Sequence, residues 1–396
     1  MPWLTIIGLG EDGPDGLSPA SRSALDQAEI VMGPPRHLEL LPNLEAKRIA
    51  WPVPFADGVE QLLALRPRRV VALASGDPFW FGAGTTLAKR LTPGEWRAFP
   101  GISTFSLAAA RMGWPLEATP CFGLHAAPLA RLRPMLAVGQ KLIVLLRDGD
   151  AVRQLADYLA GEGFGPSDLT VLEALGGPRE RITAVKANAL PDRDFHHPVC
   201  AAIEIVGDGA ALPLASGRPD DWFASDGQMT KRPVRALTLS ALAPRPFEHL
   251  WDIGGGSGSI GIEWLLSHPT LRCTTIEPLD SRATNIRANA DRLGVDRLTV
   301  VTGQAPEALT DLPAPDAVFV GGGLSNMLLD YLVKSLPTGT RLVANAVTLE
   351  TEALLIQAHA QHGGELLRVE LASASPLGPK RGWKAAYPIV QWSVTL

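Results

Sequence analysis

"LWDIGGGSGSIGIEW", residues 250–264, sets a cluster of glycines between two apolar runs, the first short enough for a strand and the second suited to a helix. The glycines therefore occupy a strand-to-helix turn. Gly256, Gly258 and Gly261 satisfy G-x-G-x-x-G, and Glu277 follows Gly258 by 19 residues, close to where a dinucleotide fold places an acid for ribose hydroxyls. Such a turn lets backbone N–H groups and a helix N-terminus approach a pyrophosphate or an amino-acid carboxylate equally well. A nicotinamide-dependent oxidoreductase is one reading. Two neighbouring features point instead to S-adenosylmethionine, whose ammonium and sulfonium centres are positive. Asp252 precedes the loop where a carboxylate would face a cation. The chain also closes with "GELLRVELASAS" and "YPIVQWSVTL", two β-rich runs without a helix between them, which predicts an antiparallel hairpin on the sheet edge.

The totals narrow the field. A chain of 396 residues has room for two or three domains, and 46% apolar with 19% charged residues is the composition of protein that buries real cores. With 36 basic against 41 acidic residues the net charge is −5, so no basic excess advertises a nucleic-acid partner, and a small ligand is expected. Cys121, Cys200 and Cys273 lie far apart without C-x-x-C spacing, which argues against a metal site or disulfide framework and suits a reducing cytoplasm. The start "MPWLTIIGLGED" has no basic n-region, and no apolar run reaches ~18 residues, so neither a signal peptide nor a membrane span is expected.

Apolar strands alternate with helical stretches over 1–206: "LTIIGLG", then "SPASRSALDQAEI" with Ser18 as N-cap and Pro19 at the first helical position, then "RRVVALASGDP", "KLIVLLRDGD" and "VCAAIEIVG". This alternation predicts a mostly parallel sheet covered on both faces. Residues 207–228 collect Gly, Pro, Asp and Ser and read as an exposed linker. A second doubly wound α/β unit is expected over 229–396, with a helix in "MTKRPVRALTLSALA" and strands near 249–253, 271–276, 297–301, 316–320 and 341–347. His196 and His197 lead into a strand, where neighbours point to opposite faces, so joint metal binding is not expected.

The glycine loop with its following acid in "CTTIEP" resembles the first motifs of class I methyltransferases, a Rossmann-like fold. "MTKRPVRALTLSAL", "GQAPEAL", "DAVFVGGG" and "RLVANAVTLET" extend the likeness to the decarboxylating methyltransferases that act on a corrin precursor in cobalamin biosynthesis. That resemblance implies a cofactor site lined by Thr230, Asp252, Gly254, Gly255, Gly256, Ser257, Gly258, Glu277, Gln304 and Ala305, with Glu277 on the ribose hydroxyls. Gln304 stands where such enzymes often place an Asp toward the adenine amine, and an amide oxygen can accept the same hydrogen bond. Lys231, Arg232 and Arg235 beside the site, and Lys380 and Arg381 in "PLGPKRGWKAAYP", are either solvated surface or receptors for substrate carboxylates.

"IIGLGEDGPDGLSPASRSAL", "LASGDPFWFGAG" and "FPGISTFSLAAARMGWP" are similar to the tetrapyrrole methylase superfamily, which is a two-subdomain α/β (class III) fold unrelated to class I but using the same donor. The likeness implies a second cofactor site at Gly8, Gly10, Gly76, Asp77, Pro100 and Ser103, with Ser103 also placed to cap the helix that follows. The fused pair resembles the bifunctional precorrin methyltransferases. What that implies is C-5 methylation by the first domain, and C-15 methylation with decarboxylation of a ring acetate by the second. Two S-adenosylmethionine sites, a tetrapyrrole substrate and a homo-oligomer are then expected, alongside the alternatives of an oxidoreductase or a binding protein with one inactive site. No catalytic base is identified.

Overall fold

In a computed structural model that describes residues 2–396, the chain divides into two units. One runs to Leu129 and resumes over Leu136–Ala210, and the other comprises Ala130–Met135 and Ala211–Leu396. Among the described residues no helix is long and apolar enough to cross a membrane.

The first unit holds two sheets. Strands β1 (Leu4–Leu9), β2 (Ile30–Gly33), β3 (Lys47–Ala50), β4 (Val70–Ser75) and β5 (Trp96–Phe99) form one in the order β3-β2-β4-β1-β5, all neighbours parallel. β1 is buried along its whole length, as a parallel sheet covered on both faces requires. The second sheet contains β6 (Cys121–Gly123), β7 (Lys141–Leu146), β8 (Asp168–Glu173), β9 (Arg181–Lys186) and β10 (Val199–Glu204) in the order β6-β7-β10-β8-β9. Only its β6–β7 pair is parallel, so the expectation of a mostly parallel sheet fails here. Residues 174–180, all that separate β8 from β9, are too few for the helical crossover that a parallel pair needs.

Local chemistry sets the loops. Ser18 accepts the Ser21 N–H at 3.1 Å and starts the helix Pro19–Asp26, while Ser103 accepts the Ser106 N–H at 3.0 Å and starts Thr104–Met112. At the ends of β1, β4 and β5 three loops meet backbone to backbone. Gly76 donates its N–H to the Leu9 carbonyl, and Gly101 donates its own to the Gly76 carbonyl, each at 3.0 Å. A Cβ on Gly8 would stand 1.8 Å from the Gly76 oxygen and 2.3 Å from the Gly101 nitrogen. The three glycine motifs of this half are thus one packed junction.

The second unit is built on β11 (His249–Ile253), β12 (Arg272–Glu277), β13 (Thr299–Thr302), β14 (Ala317–Val320), β15 (Arg341–Ala346), β16 (Glu365–Val369), β17 (Ala372–Leu377), β18 (Lys380–Ala385) and β19 (Ile389–Thr395). Its main sheet has the order β13-β12-β11-β14-β15-β19-β16, parallel as far as β15. The expected terminal hairpin exists as the antiparallel pair β16–β19, but β19 lies inside, beside β15, and leaves β16 at the edge. Between them β17 and β18 make a separate two-stranded ribbon.

Residues 207–228 are not simply an exposed linker. Leu212 and Phe223 are buried in the core with Trp264. Glu263, fully buried on the helix Ser259–Ser267, accepts the backbone N–H groups of Gly217 (2.7 Å) and Arg218 (2.9 Å) and pairs with the equally buried Arg235 at 2.6 Å. Arg235 therefore faces the core and is not a candidate substrate receptor. The composition misleads because a buried carboxylate, and not water, satisfies this backbone.

Asp252 is likewise corrected. It does not face a cation: it is buried between β11 and the helix Ser259–Ser267, accepting the Gly261 N–H at 3.1 Å and the Thr275 hydroxyl at 3.4 Å. Burial, with the Glu277 carboxylate adding to it, raises Asp252 to about 7 from an ordinary 3.8. Across that window the unfolded chain has released this proton and the folded chain keeps it, so stability falls as pH rises from about 4 to 7. Asp252→Asn should flatten this dependence by an amount on the order of a few kcal/mol across the window. Calorimetric melting of the second unit over a pH series checks this. For the first unit, Gly8→Ala should destabilise by at least about 1–3 kcal/mol, because the obstacle is backbone and cannot swing aside. An unchanged melting temperature would show that the junction is not tight.

Candidate functional site

In the second unit a cavity of about 710 Å³ opens around the turns that follow β11, β12 and β14. Of the residues expected at a cofactor site, Thr230, Gly254, Gly255, Gly256, Glu277, Gln304 and Ala305 line it, as does Lys231. Ser257 and Gly258 lie behind the loop: Ser257 is buried, and a Cβ on Gly258 would meet Ile286 at 2.8 Å. Gly254, Gly256 and Gly258 all have positive φ, which holds the turn in a shape other residues resist. The turn spends its own donors. Gly254 and Gly255 give their N–H groups to the Ile276 carbonyl at 2.9 and 3.2 Å, and Gly256 gives its N–H to Glu277 Oε2 at 2.9 Å. What faces the cavity is bare backbone surface beside a buried carboxylate, which suits a ligand carrying hydroxyl donors.

Arg232 does not line this cavity; its backbone N–H caps on Asp220 at 3.0 Å. Lys380 and Arg381 stand exposed on β18 and do not line it either, whereas Leu371, Ala386 and Tyr387 at the base of the ribbon do. Sequence reasoning gave no role to Asn345, which reaches the wall from the end of β15. Its amide donates to Thr238 Oγ1 and accepts from Gln391, both at 2.9 Å. The partners come from a distant helix and from β19, so only the fold unites them.

A cavity of about 520 Å³ in the first unit draws its walls from both sheets. Gly10, Gly76, Asp77 and Ser103 line it, while Gly8 and Pro100 are set back in the loop junction. Asp77 Oδ1 accepts the Phe79 N–H at 2.8 Å and so shapes the S-G-D-P turn. The wall also holds Glu11, Arg36, His37 and Ser75, none singled out from sequence. Arg36 pairs with Glu11, and its guanidinium reaches His37 Nε2 at 2.8 Å and Ser75 Oγ at 3.2 Å. Arg179 takes the other Glu11 oxygen at 3.0 Å. Burial, followed by the charge of Arg36, pushes His37 down to about 3, so its ring is neutral and Nε2 acts as an acceptor. His197 lines the same cavity and His196 does not, and both lie in the loop before β10.

Comparison with known proteins places both halves. Residues 3–191 match the family described as Tetrapyrrole (Corrin/Porphyrin) Methylases, and residues 221–396 match the Precorrin methyltransferase domain. The chain is 50% identical over 398 aligned positions to a precorrin-6Y C(5,15)-methyltransferase [decarboxylating] of Sinorhizobium sp, covering 100% of this chain and 96% of the relative. A cobalt-precorrin-6B C(15)-methyltransferase (decarboxylating) of Salmonella typhimurium is 34% identical over 167 residues, 41% of this chain and 85% of that protein. The crystal structure of the C-terminal domain of precorrin-6Y C5,15-methyltransferase from Rhodobacter capsulatus is 56% identical, covers 47% of this chain and 100% of that one, and has a TM-score of 0.46. The chain belongs to the family of decarboxylating precorrin-6Y C(5,15)-methyltransferases.

Proposed function

We propose that the chain performs the reactions for which its family is named at two separate donor sites: C-5 methylation of the precorrin macrocycle in the first unit, and C-15 methylation with decarboxylation in the second. The observation that carries this reading is that each of the two units, each with its own family match, holds its own cavity walled in part by glycine turns. S-adenosylmethionine, when bound, supplies an electrophilic methyl group. In the second cavity Glu277 would accept from the ribose hydroxyls, and Gly254–Gly256, Gln304 and Ala305 would help to hold the cofactor. In the first, Gly10, Gly76 and Ser103 offer the corresponding surface. An electron-rich macrocycle carbon is itself the nucleophile, so these side chains bind, orient and exclude water, and no activated protein nucleophile is required. The nicotinamide alternative raised by the glycine spacing loses its support with family membership.

Calorimetric titration of the intact chain with S-adenosylhomocysteine should give two equivalents bound; one equivalent overturns the two-site reading. Glu277→Ala removes a charged acceptor and should weaken the second site roughly 10- to 100-fold. Incubated with precorrin-6Y and labelled donor, that variant should yield a product that keeps its acetate and gains at most one methyl group, counted by mass spectrometry. Decarboxylation at the wild-type rate would show that the reactions are not divided between the units in this way.

A further inference from the structure

In the first cavity one buried carboxylate answers for two guanidinium groups, one of them on the wall. Glu11 is 7% exposed and offers one carboxylate, yet both of its oxygens are engaged, one by Arg36 and the other by Arg179. Two guanidinium groups thus share a single negative charge. His37 leaves the balance unchanged, since its ring is fully buried and accepts from Arg36 and Ser75. Asp77, the other acid on the wall, makes no ion pair with either guanidinium and turns one oxygen back to its own loop. Arg36 is only partly solvated, with 24% of its side chain exposed, and a guanidinium in that setting gains more from a second anion than one in water does.

The rest of the wall has the opposite character. Trp80 and Phe81 pack on Phe105, with ring centroids 4.8 and 5.8 Å apart, and Ile102, also on the wall, is 62% exposed. An apolar aromatic face next to a guanidinium that shares its one carboxylate with another matches a flat ligand that is apolar across its plane and acidic at its rim. A macrocycle that can lose carbon dioxide carries carboxylates at its rim.

We propose that Arg36, assisted by Arg179, is the receptor in the first cavity for a rim carboxylate of the macrocycle. The assignment rests on reading this cavity as a methyl-transfer site. The amino-acid carboxylate of the methyl donor has the same chemistry, and the aromatic face favours the macrocycle over it. Arg36 is a binding residue that sets how the ring lies against the donor, and it takes no part in bond making.

The test uses the full chain with precorrin-6Y and labelled donor, following the methyl group added at C-5 and, separately, the C-15 methylation with loss of carbon dioxide. Arg36→Gln should raise the precursor KM for the C-5 step roughly 10- to 100-fold, the size expected for one charge-assisted hydrogen bond. The donor KM and the C-15 step should stay within about twofold. Arg36→Lys should recover part of the loss, since it restores charge without the planar fork. Arg179→Gln, at a side chain 60% exposed, should give a smaller rise in the same constant and keeps the test open should Arg36→Gln fail to fold. A rise in donor KM alone assigns the carboxylate to the donor and overturns the macrocycle assignment. Unchanged constants in folded Arg36→Gln and Arg179→Gln overturn the subsite altogether. A wild-type chain that adds no methyl group at C-5 sinks the functional reading, and the subsite with it.

Discussion

Backbone meets backbone at the mouth of each sheet, and everything that surrounds the two cavities depends on that contact. Gly8 lies against Gly76 and Gly101 in the first unit, and Gly254 against Gly322 in the second, where a Cβ would come within 2.8 Å of the Gly322 oxygen. With no side chain between them, the loops after successive strands close into one surface. The price is rigidity of composition, since no other residue type fits these places, and the return is a wall of peptide groups against which a ligand can lie flat. Two carboxylates of the sites are mounted on this wall: Glu277 is held by the Gly256 N–H, and Asp77 by the turn that Gly76 begins.

The walls of the two cavities differ in kind. The second sets Glu277 with Lys231 and Arg282 and keeps another carboxyl, Asp252, behind the loop in a setting where burial favours the protonated form. The first sets Arg36, Glu11 and Asp77 beside aromatic rings.

Much of this was legible in the residues. Five strands of the second unit start and end within two residues of where their apolar runs place them, and Ser18 and Ser103 cap the helices they precede. These features are local, set by propensity and by hydrogen bonds reaching three residues along the chain. Strand direction in the second sheet of the first unit was not legible, because a strand buried on both faces reads the same whether its neighbours are parallel or antiparallel. The side to which Asp252 points was also hidden: both faces of β11 are covered, Leu250 packing into one core and Trp251 and Ile253 into another. The Glu11–Arg36–Arg179 cluster spans 168 residues between Glu11 and Arg179 and exists only after folding. No spacing rule reaches that far.

Glu263 sits in the middle of a helix, yet it determines where its unit begins. Its carboxylate is the partner for the peptide groups of Gly217 and Arg218 and for Arg235, all in a dry interior. A polypeptide started at Met229 would retain the acid and Arg235 but lack those two amides. One half of a buried charge network would then face nothing, and such a network is costly when incomplete. The start of this unit is therefore written electrostatically, by a residue some forty positions inside it, and not by the Gly, Pro and Asp that mark the surface of the chain.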